Sequence, residues 1–314
     1  MYKNKTQNAI KEIKKKLPDI EIKLNEPLKN HTSFKIGGQV NAMFFPVNTG
    51  SLTEICEILY KNDIDPLIIG NGSNILATDA NLDISVINTS KCNIVSIQNT
   101  TDEDYKEIDA MSGVKLNELA VFAYENSLTG FEFAHGIPGT IGGAIVMNAG
   151  AYGREMKDVV TGTVAYNPQK GMCELTAESN EFSYRSSRYT KTGDIVLSAT
   201  IRLSKSDKKS IKQKMDELSD KRSKSQPLDL PSAGSTFKRP ENGYAADLIE
   251  RSGLKGYTYG GAMVSEKHAG FVVNNNNATY DDVLYVISHV QKVVLKEFKI
   301  FLEPEVKIIE PKLK

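Results

Sequence analysis

Long apolar runs are missing from this chain, and their absence excludes the first large class of functions. No run approaches the ~18 apolar residues that a membrane-spanning helix needs. No secretory-type apolar stretch follows Met1 either, so a cytoplasmic protein without membrane insertion is expected. Cysteine is scarce: Cys56, Cys92 and Cys173 are odd in number and far apart. They make neither a disulfide framework nor a metal-ligand spacing, which fits a reducing compartment. His31, His135, His268 and His289 show no HExxH or other paired pattern, so no metal site is expected. Net charge is missing too. Lysine plus arginine and aspartate plus glutamate both number 39, which leaves no electrostatic case for nucleic acid. The basic run KEIKKK (11–16) is spaced by Ile10, Ile13 and Leu17 and reads as a solvated helix face.

What remains is globular composition, 40% hydrophobic and 25% charged over 314 residues, enough for two or three domains. The most distinctive stretch is GFEFAHGIPGTIGGAIVMNAGAYG (130–153). Each interior glycine costs a helix ~1 kcal/mol relative to alanine, which argues against an ordinary helix here. The interleaved Phe131, Phe133, Ile137, Ile141, Ile145, Val146 and Met147 argue against a flexible linker. A glycine-rich yet apolar run predicts a buried loop whose backbone approaches something closely. A row of N–H groups facing a phosphate or pyrophosphate suits it, and so does tight packing of backbone on backbone. A second glycine turn, GNGSN (70–74), directly follows the apolar Leu67–Ile69. Neither turn is GxGxxG or GxxxxGK[ST], so a nucleotide bound here is not held by a Rossmann fingerprint or a P-loop.

Hydrophobic periodicity predicts a helix over 6–17, ended by Pro18, and another after a capping box of Ser51 and Glu54. Short strands are predicted at 67–69, 84–87, 94–97 and 107–111. A helix over 114–126 then buries Leu116, Leu119, Ala120 and Phe122. Further strands are predicted at 161–166, 173–176 and 195–203, the last with Leu197, Ala199, Ile201 and Leu203 on one face. The SKSDKKS run at 204–210 reads as a domain boundary. Helices follow at 210–222 and 244–252. A long final helix is capped by Thr279 and Asp282 and buries Val283, Leu284, Val286, Ile287, Val290, Val294 and Phe298, before a strand at 306–309. The mixture points to α+β architecture.

Four segments together carry a family resemblance: GIPGTIGGAIVMNAGAYG, YRSSRY (184–189), PSAGSTFKRP (231–240) and LEPEVKII (302–309). In this order and near these spacings the chain resembles the UDP-N-acetylenolpyruvoylglucosamine reductases, flavoproteins of bacterial peptidoglycan synthesis. SFKIGG (33–38), GNGSN and GLKGYTYGGAMVSEKHAGFVVN (253–274) add to the likeness, which spans roughly residues 30–310. The resemblance implies a vanillyl-alcohol-oxidase-like (PCMH-type) FAD-binding fold of two subdomains plus a C-terminal α+β substrate-binding domain. By that likeness, 1–72 completed by 303–314 is the first FAD-binding subdomain, 73–204 the second, and 210–302 the substrate domain. It also implies non-covalent FAD, NADPH as reductant, UDP-N-acetylglucosamine enolpyruvate as substrate, and a monomer.

Residue by residue, the resemblance assigns FAD pyrophosphate contacts to Gly70, Asn71, Gly72, Ser73 and Asn74, and to Gly136, Ile137, Pro138, Gly139, Thr140, Gly142 and Gly143. It assigns Arg185 to the substrate carboxylate, Ser235 to protonation of C2, and Glu305 to a hydrogen bond or proton relay. The chemistry agrees. A hydride added at C3 drives negative charge into the carboxylate, which a guanidinium fork stabilises. A carbanionic carbon is a base strong enough to take a proton from a hydroxyl. Glu305 acting as a protonated acid requires burial that raises its pKa. Glu303 is expected to face solvent, and Arg188 is the residue most easily confused with Arg185. Lys238 and Arg239 are expected on the UDP diphosphate or the NADPH phosphates. The chain departs from the family at Ser225-Gln226-Pro227, where Lys-Gln-Pro is common, so a phosphate role does not transfer to Lys224. Only Thr190–Asp194 separates YRSSRY from the next strand, as in the shorter branch without a tyrosine-bearing insertion. A histidine attaches FAD covalently in some flavoproteins of this superfamily, and His135 lies in the glycine stretch, but the reductases make no such bond. An oxidase on the same fold and a non-catalytic nucleotide-binding protein remain the alternatives.

Overall fold

The computed structural model describes residues 2–98 and 102–311. Met1 and residues 312–314, which the sequence-based division includes, lie outside them. Two compact units are present. One comprises Met1–Leu24, Asn41–Asn71 and Ile84–Lys221; the other comprises Asn25–Val40, Gly72–Asp83 and Arg222–Lys314. The chain therefore changes unit between Asn71 and Gly72, in the middle of the GNGSN turn.

In the first unit an antiparallel six-stranded sheet is built on Ile195–Lys205, an 11-residue strand with Val160–Asn167 on one side and Tyr105–Met111 on the other. Its alternation has a plain cause: Leu197, Ala199, Ile201 and Leu203 are at most 2% exposed, while Ser198, Thr200 and Arg202 turn the other way. Gly171–Thr176 and Val95–Ile97 form the two edges. The Leu116–Glu125 helix buries Leu116, Leu119, Ala120 and Ala123 on this sheet's core, with Phe122 only partly buried. A second core gathers Ala9 and Ile13 from the Tyr2–Lys16 helix with Leu52, Ile55, Ile58 and Leu59 from the Thr49–Lys61 helix. Lys14, Lys15 and Lys16 fall in the last turn of the Tyr2–Lys16 helix, where the macrodipole favours positive charge.

Two local expectations are corrected here. The helix expected after Ser51 begins earlier, because Asn48 rather than Ser51 is its N-cap. Asn48 has extended backbone (φ −156), its Oδ1 accepts from Ser51 N at 2.8 Å, and Ser51 Oγ accepts from Asn48 N. Such a cap contributes about 1 kcal/mol. The glycine stretch, expected to be loop throughout, contains a seven-residue helix, Ile141–Met147. Close packing overrides propensity there: a Cβ on Gly142 would lie 2.9 Å from Ser112 Cβ.

The second unit packs the Tyr280–Phe298 helix against the antiparallel strands Thr258–Tyr259, Ala262–Val264 and Val272–Asn274. Thr279 and Asp282 form the expected capping box. Val283, Val286, Ile287, Val290 and Val294 are buried, with Leu284 and Phe298 partly so. The terminal strand, Lys307–Ile309, runs parallel to Ile75–Ala77, a strand not anticipated from its three residues. The charged run 204–210 leads into a continuous helix, Lys208–Ser225, with Ile211, Met215 and Leu218 buried, and the units divide within that helix at Lys221.

Candidate active site

The motif residues fall into two groups, one in each unit. In the first unit, Gly70 and Asn71 meet the 136–143 segment. Asn71 Nδ2 donates to the Pro138 carbonyl at 3.3 Å. A Cβ on Gly70 would lie 2.1 Å from Thr140 Oγ1, so this backbone approaches its neighbour as only glycine can. Among the described residues, no backbone carbonyl accepts from the N–H groups of Asn71, Gly136 or Thr140. Thr140 is 2% exposed and Ser112 1% exposed, and neither hydroxyl finds a hydrogen-bond partner among the described residues. Buried donors without acceptors cost about 1–3 kcal/mol each. A ligand rich in acceptor oxygens would relieve that cost, so this donor set fits a pyrophosphate such as that of FAD.

Arg185 belongs to the same unit. Ser183 N donates to Ser186 O at 2.9 Å and Ser186 N to Ser183 O at 3.2 Å, closing a tight turn with Tyr184 and Arg185 at its tip. The turn holds Arg185 at φ +53, in the left-handed region that few arginines adopt. Its guanidinium lies 5.5 Å from the Tyr184 ring. Arg188 is occupied structurally. It pairs at 2.9 Å with Asp194, whose side chain is fully buried and also accepts from Asn167 Nδ2 at 2.6 Å. Beside them Asn180, Thr163 and Tyr189 close a buried hydrogen-bond triangle. Burial pushes the Tyr189 phenol up to about 12, keeping it a donor to Asn180 Oδ1. One helical turn, Tyr189–Thr192, and Gly193 at φ +72 then deliver the chain to the next strand without an insertion.

His135 is half-buried, with Nδ1 3.1 Å from Ser219 Oγ. Burial holds its pKa below the ordinary imidazole value of 6.5, against the smaller upward pull of Asp216, with Lys212 adding to the depression. The unfolded chain therefore binds the proton more readily, and the stability it contributes is lost as pH falls through 6.5 toward the depressed value. The melting temperature should decline between pH 7 and pH 5, and His135→Gln should make that decline shallower. An unchanged slope would assign the dependence elsewhere.

In the second unit, Ser235 and Glu305 come together. Glu305 N donates to Thr236 O at 2.8 Å and Lys238 N to Glu303 O at 2.8 Å, so segments 235–238 and 303–305 run side by side. Ala233, Thr236 and Phe237 are buried and pin the segment. Ser235 is left half-buried, with a hydroxyl that has no hydrogen-bond partner among the described residues. Asn74 completes this group: its Nδ2 donates to Glu305 O at 3.2 Å, and its carbonyl accepts from Lys307 N at 2.9 Å. Gly72, at φ +57, packs where a Cβ would lie 2.1 Å from His31 O, and its carbonyl accepts from Ser33 N. Ser33 Oγ in turn donates to Ser232 O at 2.6 Å. Glu303 is exposed, as expected, and pairs with Lys238 at 2.5 Å. Arg239 Nε donates to Gly243 O at 3.3 Å, and its guanidinium lies 4.2 Å from the Tyr244 ring.

Sequence reasoning passed over Ser112 and Asn148. Each is a single polar residue in an apolar context, and nothing in its neighbours' spacing marks it. Among the described residues there is no cluster of potential metal ligands, and no helix is long and apolar enough to cross a membrane.

Comparison with known proteins agrees with this geometry. Residues 40–174 match the FAD binding domain model, and residues 226–309 match the C-terminal domain model of UDP-N-acetylenolpyruvoylglucosamine reductase. A reductase of that name from Caldanaerobacter subterraneus is 45% identical, covering 96% of this chain and 98% of the relative. Another from Listeria welshimeri is 43% identical, covering 95% and 98%. The crystal structure of UDP-N-acetylenolpyruvylglucosamine reductase from Thermus caldophilus superposes with a TM-score of 0.75 at 29% identity, covering 93% of this chain and 99% of that one. The α+β class and the FAD-binding fold read from the sequence both hold. Glycine turns that fit a pyrophosphate, a family model over each half of the chain and near-complete relatives agree: this chain belongs to the UDP-N-acetylenolpyruvoylglucosamine reductase family and is an FAD-containing oxidoreductase.

Proposed function

We propose that the protein reduces UDP-N-acetylglucosamine enolpyruvate to UDP-N-acetylmuramate with NADPH as reductant. The observation that supports the catalytic half is the backbone pairing of segments 235–238 and 303–305, which brings the Ser235 segment alongside the Glu305 segment. When bound, FAD would supply the two-electron hydride chemistry that links NADPH to C3 of the enolpyruvyl group. Gly70, Asn71 and the 136–143 segment would hold its pyrophosphate through the N–H groups of Asn71, Gly136 and Thr140 and the Thr140 hydroxyl, whereas the N–H groups of Ile137, Gly139 and Gly142 already donate to backbone carbonyls. Arg185 grips the substrate carboxylate as negative charge develops there. Ser235 delivers its proton to C2, and Glu305 orients that hydroxyl and restores its proton. Lys238 and Arg239 take the UDP diphosphate, Lys238 exchanging its Glu303 partner for phosphate oxygens.

An anaerobic titration tests this reading. The yellow holoenzyme should bleach when NADPH is added and recover its colour when the enolpyruvyl substrate follows. Recovery with oxygen alone, and no response to the enolpyruvyl compound, would favour the oxidase alternative. Protein that takes up no FAD would remove both.

A further inference from the structure

One buried side chain ties the turn that presents Arg185 to the helix of the glycine stretch. Asn148 is 0% exposed and ends the Ile141–Met147 helix in the left-handed conformation, φ +42. A left-handed helix end needs only a residue that tolerates positive φ, and glycine is the default. Asn148 does more than that. Its Nδ2 donates to the Ser183 carbonyl at 3.0 Å and to Glu155 Oε2 at 2.9 Å, while its Oδ1 accepts from Lys157 N at 3.0 Å. The Ser183 carbonyl is the same one that accepts from Ser186 N to close the turn around Tyr184 and Arg185. A second tie lies close by: Ser187, fully buried, donates from Oγ to the Val146 carbonyl at 2.8 Å. A left-handed arginine persists only where its surroundings over-determine it. Here the fixing groups are Asn148 and Ser187.

We infer that Asn148 is a positioning residue for Arg185. Its carboxamide locks the Ser183 carbonyl to the end of the Ile141–Met147 helix, so the guanidinium holds a constant place relative to the glycine backbone. The inference rests on the carboxylate role of Arg185 proposed above. It goes beyond that role in naming the group that sets the arginine's geometry.

Two substitutions test it in the holoenzyme. Asn148→Gly keeps the left-handed backbone without strain and deletes all three side-chain hydrogen bonds. Asn148→Asp keeps the shape and the acceptor for Lys157 N but cannot donate to Ser183. Flavin absorbance and the rate of reduction by NADPH report the fold and the cofactor cradle, and both should stay near wild type. Reoxidation by the enolpyruvyl substrate should slow roughly 10- to 100-fold, the range a misplaced reacting group produces. Calorimetric affinity for UDP-N-acetylmuramate should fall with it. In an Arg185→Ala background, Asn148→Gly should add little, since the asparagine acts through that arginine. A full additional loss there would overturn the inference, because a merely structural role is additive. If Arg185→Ala slows reoxidation and the Asn148 variants do not, the inference fails while the carboxylate role stands. If Arg185→Ala itself has no effect, the carboxylate role fails and the inference with it. Should Asn148→Gly not fold, amide exchange at Ser186 in Asn148→Asp decides: faster exchange is expected, and unchanged protection refutes the tie.

Discussion

Ser235→Ala is expected to leave reduction by NADPH close to the wild-type rate and to slow reoxidation by the enolpyruvyl substrate roughly 10²- to 10⁴-fold. That is the range a positioned proton donor contributes. The split follows from where the hydroxyl sits. It is half-buried and has no hydrogen-bond partner among the described residues, so removing one oxygen breaks no hydrogen bond and leaves no buried acceptor unsatisfied. Thr236 and Phe237, which pin the segment, are untouched: Thr236 Oγ1 still accepts from Val272 N at 2.9 Å. The melting temperature should therefore stay within a degree or so, since substitutions away from special features change stability by about 0.5 kcal/mol or less. Stopped-flow measurement of the two half-reactions separates the outcomes. Equal slowing of both would mean that Ser235 supports the site rather than donating a proton.

The second large effect concerns cofactor retention. Gly70→Val places a Cβ 2.1 Å from Thr140 Oγ1 and 3.1 Å from both Thr140 Cβ and Cγ2, and then adds two methyl groups. Thr140 is β-branched, buried and at the N-cap of the Ile141–Met147 helix, so it has little room to turn aside. Overpacking of this kind costs about 1–3 kcal/mol, and the cradle is displaced as the clash is relieved. Affinity for FAD should weaken roughly 10- to 100-fold on that scale, and the protein should purify largely colourless. Gly171→Ala is the control. Gly171 has positive φ (+74), and a Cβ there meets no atom within 4 Å. It should cost backbone strain alone and purify yellow. Normal flavin content in Gly70→Val would show that the Gly70–Thr140 approach plays no part in holding the cofactor.

The long elements were legible because their signals are local. The Ile195–Lys205 strand alternates strictly, and the Tyr280–Phe298 helix carries its own capping box and apolar stripe; both stand where their residues put them. Short elements were legible only in part: Leu67–Ile69, Val95–Ile97 and Lys307–Ile309 stand where expected, and others do not. Ile75–Ala77 is a strand only because Lys307–Ile309, more than two hundred residues later, pairs with it. Asn48 outcompeted Ser51 as a cap because its extended backbone aims Oδ1 at the right N–H, a matter of φ rather than residue type. Gly142 lies in a helix because its approach to Ser112 rewards a missing side chain, and propensity carries no information about a partner thirty residues away.

The sequence by itself determined the fold class, the family and the positions at which chemistry is expected, because glycine turns and motif order survive without coordinates. Only the tertiary structure decided how those positions are held. The GNGSN turn divides between two units. Lys238 N and Glu305 N donate into the opposite segments and so align 235–238 with 303–305. Arg188, with the same side chain as Arg185, is spent on the buried Asp194. Hydrogen bonds between residues distant in the chain leave no periodic trace in it. The two glycine turns could therefore be read in advance, and Asn148, which ties one of them to Arg185, could not.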